Sequence, residues 1–267
     1  MSHKILDFLL PYRKLKKDIS FFKKVTIYFE ILFNIIAASL IISYFGLPFL
    51  GTTVKYKNLQ FHSLDTEINA TLVKKYLIRA DEYLIKNPLY TDNKTIDIFL
   101  LNNSILYAIM NPLNVIHGFH SYAATLGAKV TMKKVDLKNN KCFSYDGTEN
   151  FDAVLAHELI HTYQNNKYGF FIKYKSSWII EGYATYASKD LYIEKPKEIL
   201  ESYIKYYPEY ENMPSKHLSK QYHVWMLMVK HAIKHMHKSV DDLHLGKVSY
   251  DEAMDSLLAE YHIANVK

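Results

Sequence analysis

The apolar and polar positions of this chain divide it into three stretches. Residues 31–54 carry no charged side chain, and Ile31 to Leu50 reads I-L-F-N-I-I-A-A-S-L-I-I-S-Y-F-G-L-P-F-L. Twenty helical residues extend about 30 Å, the thickness of a bilayer's hydrocarbon core, so the run predicts a transmembrane helix over 31–50. About 30 residues precede it and no small-x-small site follows, which sets it apart from a cleaved signal peptide. Beyond residue 55 the pattern is mixed. Ile68, Leu72, Tyr76, Leu77, Ala80 and Leu84 recur at helical spacing and predict a helix over 65–86. Residues 95–101 and 128–137 read as strands, the second alternating in part. From 150 onward the period is helical, with helices expected over 150–168, from near Trp178, over about 219–237 and over 249–261. Ser249-Tyr250-Asp251-Glu252 has the form of a capping box at the start of the last. A small sheet followed by helices is an α+β domain.

The chemistry is concentrated in the helix over 150–168. His157-Glu158-Leu159-Ile160-His161 places two imidazoles four residues apart, on one face of a helix and one turn apart. Two such nitrogens can bind one Zn²⁺, and the Glu between them can act on a metal-bound water. The surroundings suit the geometry. Thr148 or Asn150 can cap the helix, Phe151, Val154, Leu155, Leu159 and Ile160 form an apolar stripe, and Gly169 supplies a stop. A zinc hydrolase needs a third protein ligand and leaves the fourth position to water. Glu181 lies 20 residues after His161, in Trp178-Ile179-Ile180-Glu181-Gly182-Tyr183, and would project from the first turns of the next helix. A lone first-turn carboxylate is ordinarily a solvated complement to the helix dipole. After this helix, the ligand role is the better account of it.

H-E-L-I-H followed about 20 residues later by W-I-I-E-G-Y-A-T-Y resembles the gluzincin branch of zinc metallopeptidases, the thermolysin-like and aminopeptidase-like clan. The match is strongest over 150–190 and weaker from Tyr222 to Tyr261. The resemblance implies a zincin-like fold, His157, His161 and Glu181 as zinc ligands, Glu158 as general base, and a peptide or protein substrate. It also implies an edge strand able to bind an extended peptide, for which 128–137 is the candidate. An oxyanion donor is expected among Tyr186, Tyr222 and His223. The chain departs from the family pattern in several places. Thr185 stands where many thermolysin-like enzymes have an Asp that orients the first histidine. The Gly-rich aminopeptidase segment has no counterpart, since Gly127-Ala128-Lys129-Val130-Thr131 carries no acid. Gln164 and Lys167 occupy the positions of the Gly and third His of metzincins, which excludes that branch.

Charge refines the organisation. Residues 1–30 carry seven basic against three acidic side chains, net +4, leaving 26 Lys+Arg and 24 Asp+Glu in the rest. The positive-inside rule then places 1–30 in the cytoplasm, as a basic juxtamembrane segment suited to anionic lipid, 31–50 across the membrane, and the catalytic domain 55–267 outside the cytoplasm. Basicity confined to one end argues against nucleic acid as a partner. The single Cys142 excludes an intrachain disulfide. His231 and His235 share the i, i+4 spacing but have no carboxylate between them, and His117 and His120 flank Gly118-Phe119, so neither pair is expected to hold a second metal. The sequence therefore predicts a membrane-anchored zinc metallopeptidase. The alternative is a zincin-fold binding or scaffolding module without turnover.

Overall fold

The computed structural model describes residues 21–45, 51–63, 68–102, 107, 123–143, 147–169, 172, 176–188, 195–206 and 218–263. These fall into two units. Helix α1 (Phe21–Phe45) and Tyr107 belong to one, and the remaining described residues to the other. His117 and His120, with most of the basic segment 1–30, lie outside the described residues.

The transmembrane helix expected over 31–50 is corrected here. Among the described residues, no helix is long and apolar enough to cross a membrane. Helix α1 begins at Phe21, so its first turns carry Lys23, Lys24 and Glu30. Its charge-free part, 31–45, rises about 22 Å at 1.5 Å per residue, short of the roughly 30 Å of a hydrocarbon core. Residues 46–50, which would have completed the run, lie outside the described residues. The anchoring and orientation inferred from that span lose their basis with it.

The second unit is α+β. Strand β1 (Thr52–Tyr56) turns at Lys57-Asn58 into β2 (Leu59–Ser63), its antiparallel neighbour, with Lys57 at φ 49°. Helix α2 (Ala70–Leu84), capped by the Asn69 side chain on Leu72 N–H, crosses to β3 (Ile96–Leu100), parallel to β2. Strands β4 (Ala123–Leu126) and β5 (Lys129–Met132) form a hairpin through Gly127, whose φ of 61° suits glycine. The sheet order is β1-β2-β3-β5-β4. The expected strand over 128–137 is therefore two strands. It breaks at Lys134, φ 55°, and its second part, β6 (Val135–Asp136), joins β7 (Lys141–Phe143) and β8 (Thr148–Asn150) in a separate three-stranded sheet. Nor is 128–137 at an edge, because β5 pairs with β3 on one side and β4 on the other. The edge beside the motif helix is β4.

Helix α3 (Phe151–Tyr168) follows, 18 residues without Pro or Gly, ended by Gly169 at φ 91°. Its first turn is capped from a distance. Asn140, not Asn150 or Thr148, receives the first amides: Phe151 N–H donates to its backbone oxygen at 3.1 Å and Asp152 N–H to its side-chain oxygen at 3.2 Å. Phe151, Val154, Leu155, Leu159 and Ile160 are all buried as the apolar stripe requires, but so are Glu158 and Thr162 within the stripe and Ala156 and Gln164 away from it. The helix is thus enclosed rather than half-exposed. The Phe151 ring packs edge-on to Tyr76 and Phe61, joining α3 to α2 and the sheet.

The helical half continues with α4 (Ser177–Ser188), α5 (Pro196–Tyr206), α6 (Leu218–Lys234), α7 (Val240–His244) and α8 (Tyr250–Glu260). Ser249 caps α8 through Glu252 N–H, as its sequence indicates. The complete reciprocal capping box lies instead at Ser239 and Asp242, on α7. Helices α4 and α6 cross at Gly182. A Cβ there would lie 2.6 Å from the Trp225 carbonyl oxygen and 2.7 Å from its carbon. The absence of a side chain lets the helices approach and sets Tyr222, one turn before Trp225, over the residue preceding Gly182.

Gly182→Ala tests this contact. Helix propensity favours Ala by about 1 kcal/mol. The clash is with backbone, which cannot rotate away, and overpacking of this kind costs about 1–3 kcal/mol. Urea unfolding should therefore show net destabilisation. An unchanged or raised midpoint would mean that the two helices are not held this close.

Candidate metal centre

Helices α3 and α4 bring three donor atoms together. His157 Nε2 lies 3.1 Å from His161 Nε2 and 3.2 Å from Glu181 Oε2, and the third side of the triangle, His161 Nε2 to Glu181 Oε2, is 3.4 Å. The i, i+4 spacing on α3 stacks the imidazoles edge to face, with ring centres 4.8 Å apart. Glu181 reaches them from the second turn of α4.

The donor set suits zinc in type and in geometry. Tetrahedral ligands at zinc distances stand about 3.3–3.5 Å from one another, close to the three separations here. The three atoms lie on a circle of radius about 1.9 Å, inside the roughly 2.0–2.1 Å of a zinc–nitrogen bond, so one ion can reach all three. The site is also open. The imidazole side chains are 13% exposed and Glu181 is 27% exposed, which leaves a fourth position accessible, as in catalytic rather than structural zinc sites.

Glu158 is nearly buried and stands outside this triangle. Its Oε2 accepts a 2.6 Å hydrogen bond from Thr125 Oγ1 on β4, and the same hydroxyl lies 3.2 Å from the Glu158 backbone oxygen. Of the three oxyanion-donor candidates, Tyr222 is brought to the triangle. Its ring faces His157 at 6.4 Å, and the charge of Glu181, then burial and the charge of Glu158, push its phenol well above the ordinary value of 10. Tyr186 is half-buried against Tyr183 on the next turn of α4. His223 is half-buried one position after Tyr222, about 100° further round α6.

Three residues at the site carry no sequence signal strong enough to single them out. Thr125 is one. Gln164 is another: its Oε1 lies 2.8 Å from His161 Nδ1. The i, i+3 spacing on one helix could have suggested this pair. The third, His244, touches Gln164 across 80 residues of sequence, a separation no local pattern bridges. Thr185 is buried, at the position where the family pattern has an acid.

Among the described residues a second grouping, His231, His235 and Glu260, could also hold a metal. Its geometry differs. His231 Nδ1 is 2.5 Å from Glu260 Oε2, too close for two zinc ligands, and His231 Nε2 is 2.8 Å from Ser256 Oγ. His235 stands 3.8 Å from Glu260 and is exposed. This is a hydrogen-bonded histidine that fastens α6 to α8.

The charge distribution of the triangle gives a test. Burial alone would lower the His161 imidazole, but the charge and hydrogen bond of Glu181 outweigh it and raise the group to about 9. Burial likewise opposes ionisation of Glu181, yet the charge of His161 and hydrogen bonds from both imidazoles hold its carboxyl well below the usual carboxylate range. A group raised from 6.5 to about 9 on folding contributes stability that is complete below 6.5 and lost as pH rises through 9. Zinc must displace the same proton, so zinc binding should strengthen from pH 7 to 9 and level off above. In the metal-free protein, Glu181→Gln should bring His161 back toward or below the ordinary 6.5 in an NMR titration. A ring still titrating at about 9 in that variant would contradict the pairing.

No family model matches the chain, and no curated protein and no solved structure does either. The three donor separations are thus the main observation from which its chemistry follows.

Proposed function

We propose that this chain is a zinc-dependent metallopeptidase of the gluzincin type, with His157, His161 and Glu181 as ligands. The observation that carries this reading is the open triangle of two imidazole nitrogens and a carboxylate oxygen at 3.1–3.4 Å, with Glu158 beside it but outside it. Bound there, zinc would polarise a scissile carbonyl and acidify a water.

The chain's own groups do the rest. Glu158 accepts the proton of the attacking water and returns it to the leaving amine. The Thr125 hydroxyl holds one oxygen of that carboxylate and leaves the other available. Tyr222, kept protonated by the two nearby carboxylates, donates a hydrogen bond to the developing oxyanion. Strand β4 pairs with β5 alone among the described residues, so its outer edge can take an extended peptide by strand addition. This route places substrate backbone next to Thr125 and Glu158. Peptide bonds are favoured over other substrates by that edge and by the motif's resemblance.

Purified protein should bind about one zinc ion, the stoichiometry of a three-ligand catalytic site. Glu158→Gln should keep the metal and lose at least about 10²–10⁴-fold in peptidase turnover. Tyr222→Phe should lose about 10²–10³-fold with the metal retained. Unimpaired hydrolysis by Glu158→Gln would refute the assigned base. A zinc-loaded wild-type protein that cleaves nothing in a broad peptide library would favour the binding-module alternative.

A further inference from the structure

The Gln164 carboxamide sits between the two ligand helices and is fully buried. Its Oε1 is 2.8 Å from His161 Nδ1, and its Nε2 is 3.1 Å from the Ile180 carbonyl oxygen and 3.0 Å from His244 Nε2. His244 Nδ1 is 2.8 Å from the Val240 carbonyl oxygen. Two carbonyl oxygens, which only accept, close the line at Ile180 and Val240, and they leave one arrangement of protons. Gln164 Nε2 donates to Ile180 and, with its second hydrogen, to His244 Nε2. His244 carries its proton on Nδ1 and donates it to Val240. Gln164 Oε1 then accepts from His161 Nδ1–H, so Nε2, which faces Glu181 and His157, is the nitrogen that gives up its proton to leave the lone pair a metal needs.

We propose that Gln164, braced by His244, is the positioning residue of the metal site. It selects the His161 tautomer able to ligate, and it clamps the peptide that leads into Glu181. The proposal rests on the zinc reading above. One amide holds a ligand ring on α3 and the residue before the third ligand on α4, so the triangle cannot open without breaking it. The support behind it is stiff. His244 is almost fully buried, stacked on Tyr168 at 4.4 Å and met edge-on by Tyr183 at 5.2 Å. Burial lowers its imidazole to about 4, which keeps Nε2 an acceptor at neutral pH. This network takes the place of the ligand-orienting Asp of the family pattern, although it acts on the second histidine rather than the first. Partners of this kind typically alter metal affinity 10–100-fold.

The test uses the full chain and its Gln164→Met, His244→Leu and His244→Gln variants. Zinc affinity is measured by chelator competition, and metal-free melting controls for fold. The His244 tautomer in the metal-free wild-type protein is read by ¹⁵N NMR. Gln164→Met removes both hydrogen-bonding ends at similar volume. His244→Gln retains an acceptor near Nε2, and His244→Leu does not. The expected results are an Nδ1–H tautomer for His244, zinc binding about 10–100-fold weaker in Gln164→Met, and affinity in His244→Gln closer to wild type than in His244→Leu. A His244 found as the Nε2–H tautomer would overturn the network. So would Gln164→Met binding zinc as tightly as wild type, or the two His244 variants weakening it equally. Wild-type protein that binds no zinc would instead sink the metal reading itself, and the proposed role with it.

Discussion

Helix α3 is buried on nearly every side, and that enclosure governs the polar groups it carries. An unpaired buried polar group costs about 1–3 kcal/mol, so each of these needs a partner, and most take one from elsewhere in the fold. Asp152 takes Asn140 and Arg79, from the β6–β7 turn and from α2. Glu158 takes Thr125 from the sheet edge. Thr162 turns back to the Leu159 carbonyl. Gln164 takes the Ile180 carbonyl and His244 from α4 and α7. The two histidines share Glu181. The elements packed around α3 thereby acquire fixed positions relative to the site, because α2, the β6–β7 turn, β4, α4 and α7 each supply hydrogen-bonding groups to it.

The contrast between the two His/His/Glu groupings shows what spacing alone leaves open. Both pairs of histidines stand four apart, the first within α3 and the second across the C-terminal end of α6, with His235 just past its last residue, and a carboxylate from another helix reaches each. At His157, His161 and Glu181 two imidazoles share one carboxylate oxygen, and the three atoms stand 3.1–3.4 Å apart. At His231 one imidazole closes directly on Glu260 while Ser256 occupies its other nitrogen, and the His235 ring lies nearly parallel to it instead of facing the oxygen. Equal composition yields an open triangle of donor atoms in one case and an interhelical fastener in the other.

The local part of this architecture was legible in the sequence. The motif helix runs from the expected start to Gly169, and Glu181 arrives at the imidazoles because a single helical reversal separates it from them. What was not legible depended on partners distant in sequence. The strand expected over 128–137 alternates only in part, and its place at an edge is implied by the resemblance alone; β5 lies between two neighbours, and Lys134 divides the segment between two sheets. The N-cap of α3 comes from Asn140, ten residues before Asn150, because the β7–β8 hairpin folds back to present it. The helix expected from residue 31 begins at Phe21, since lysines are good helix formers and the uncharged run does not mark where a helix starts. In the sequence Gln164 marks only a departure from the metzincin pattern, whereas its carboxamide links α3 and α4.

Thr125 joins the two halves of the proposed chemistry. Its hydroxyl lies on the edge strand, and it is held by the Glu158 carboxylate and approaches the Glu158 backbone oxygen. One side chain therefore registers β4 against α3 at the residue that carries the base. A peptide added to β4 takes its register from the strand's own amides and carbonyls, which repeat every 3.4 Å or so. The position of a scissile carbonyl relative to Glu158 is then set by the sheet and not by flexible side chains. Only the distance from β4 to the proposed zinc ligands remains to be fixed, and α3 fixes it, because His157 and Glu158 are consecutive on that helix. A base on a loop would need independent bracing. Here the same strand that would hold the substrate holds the base.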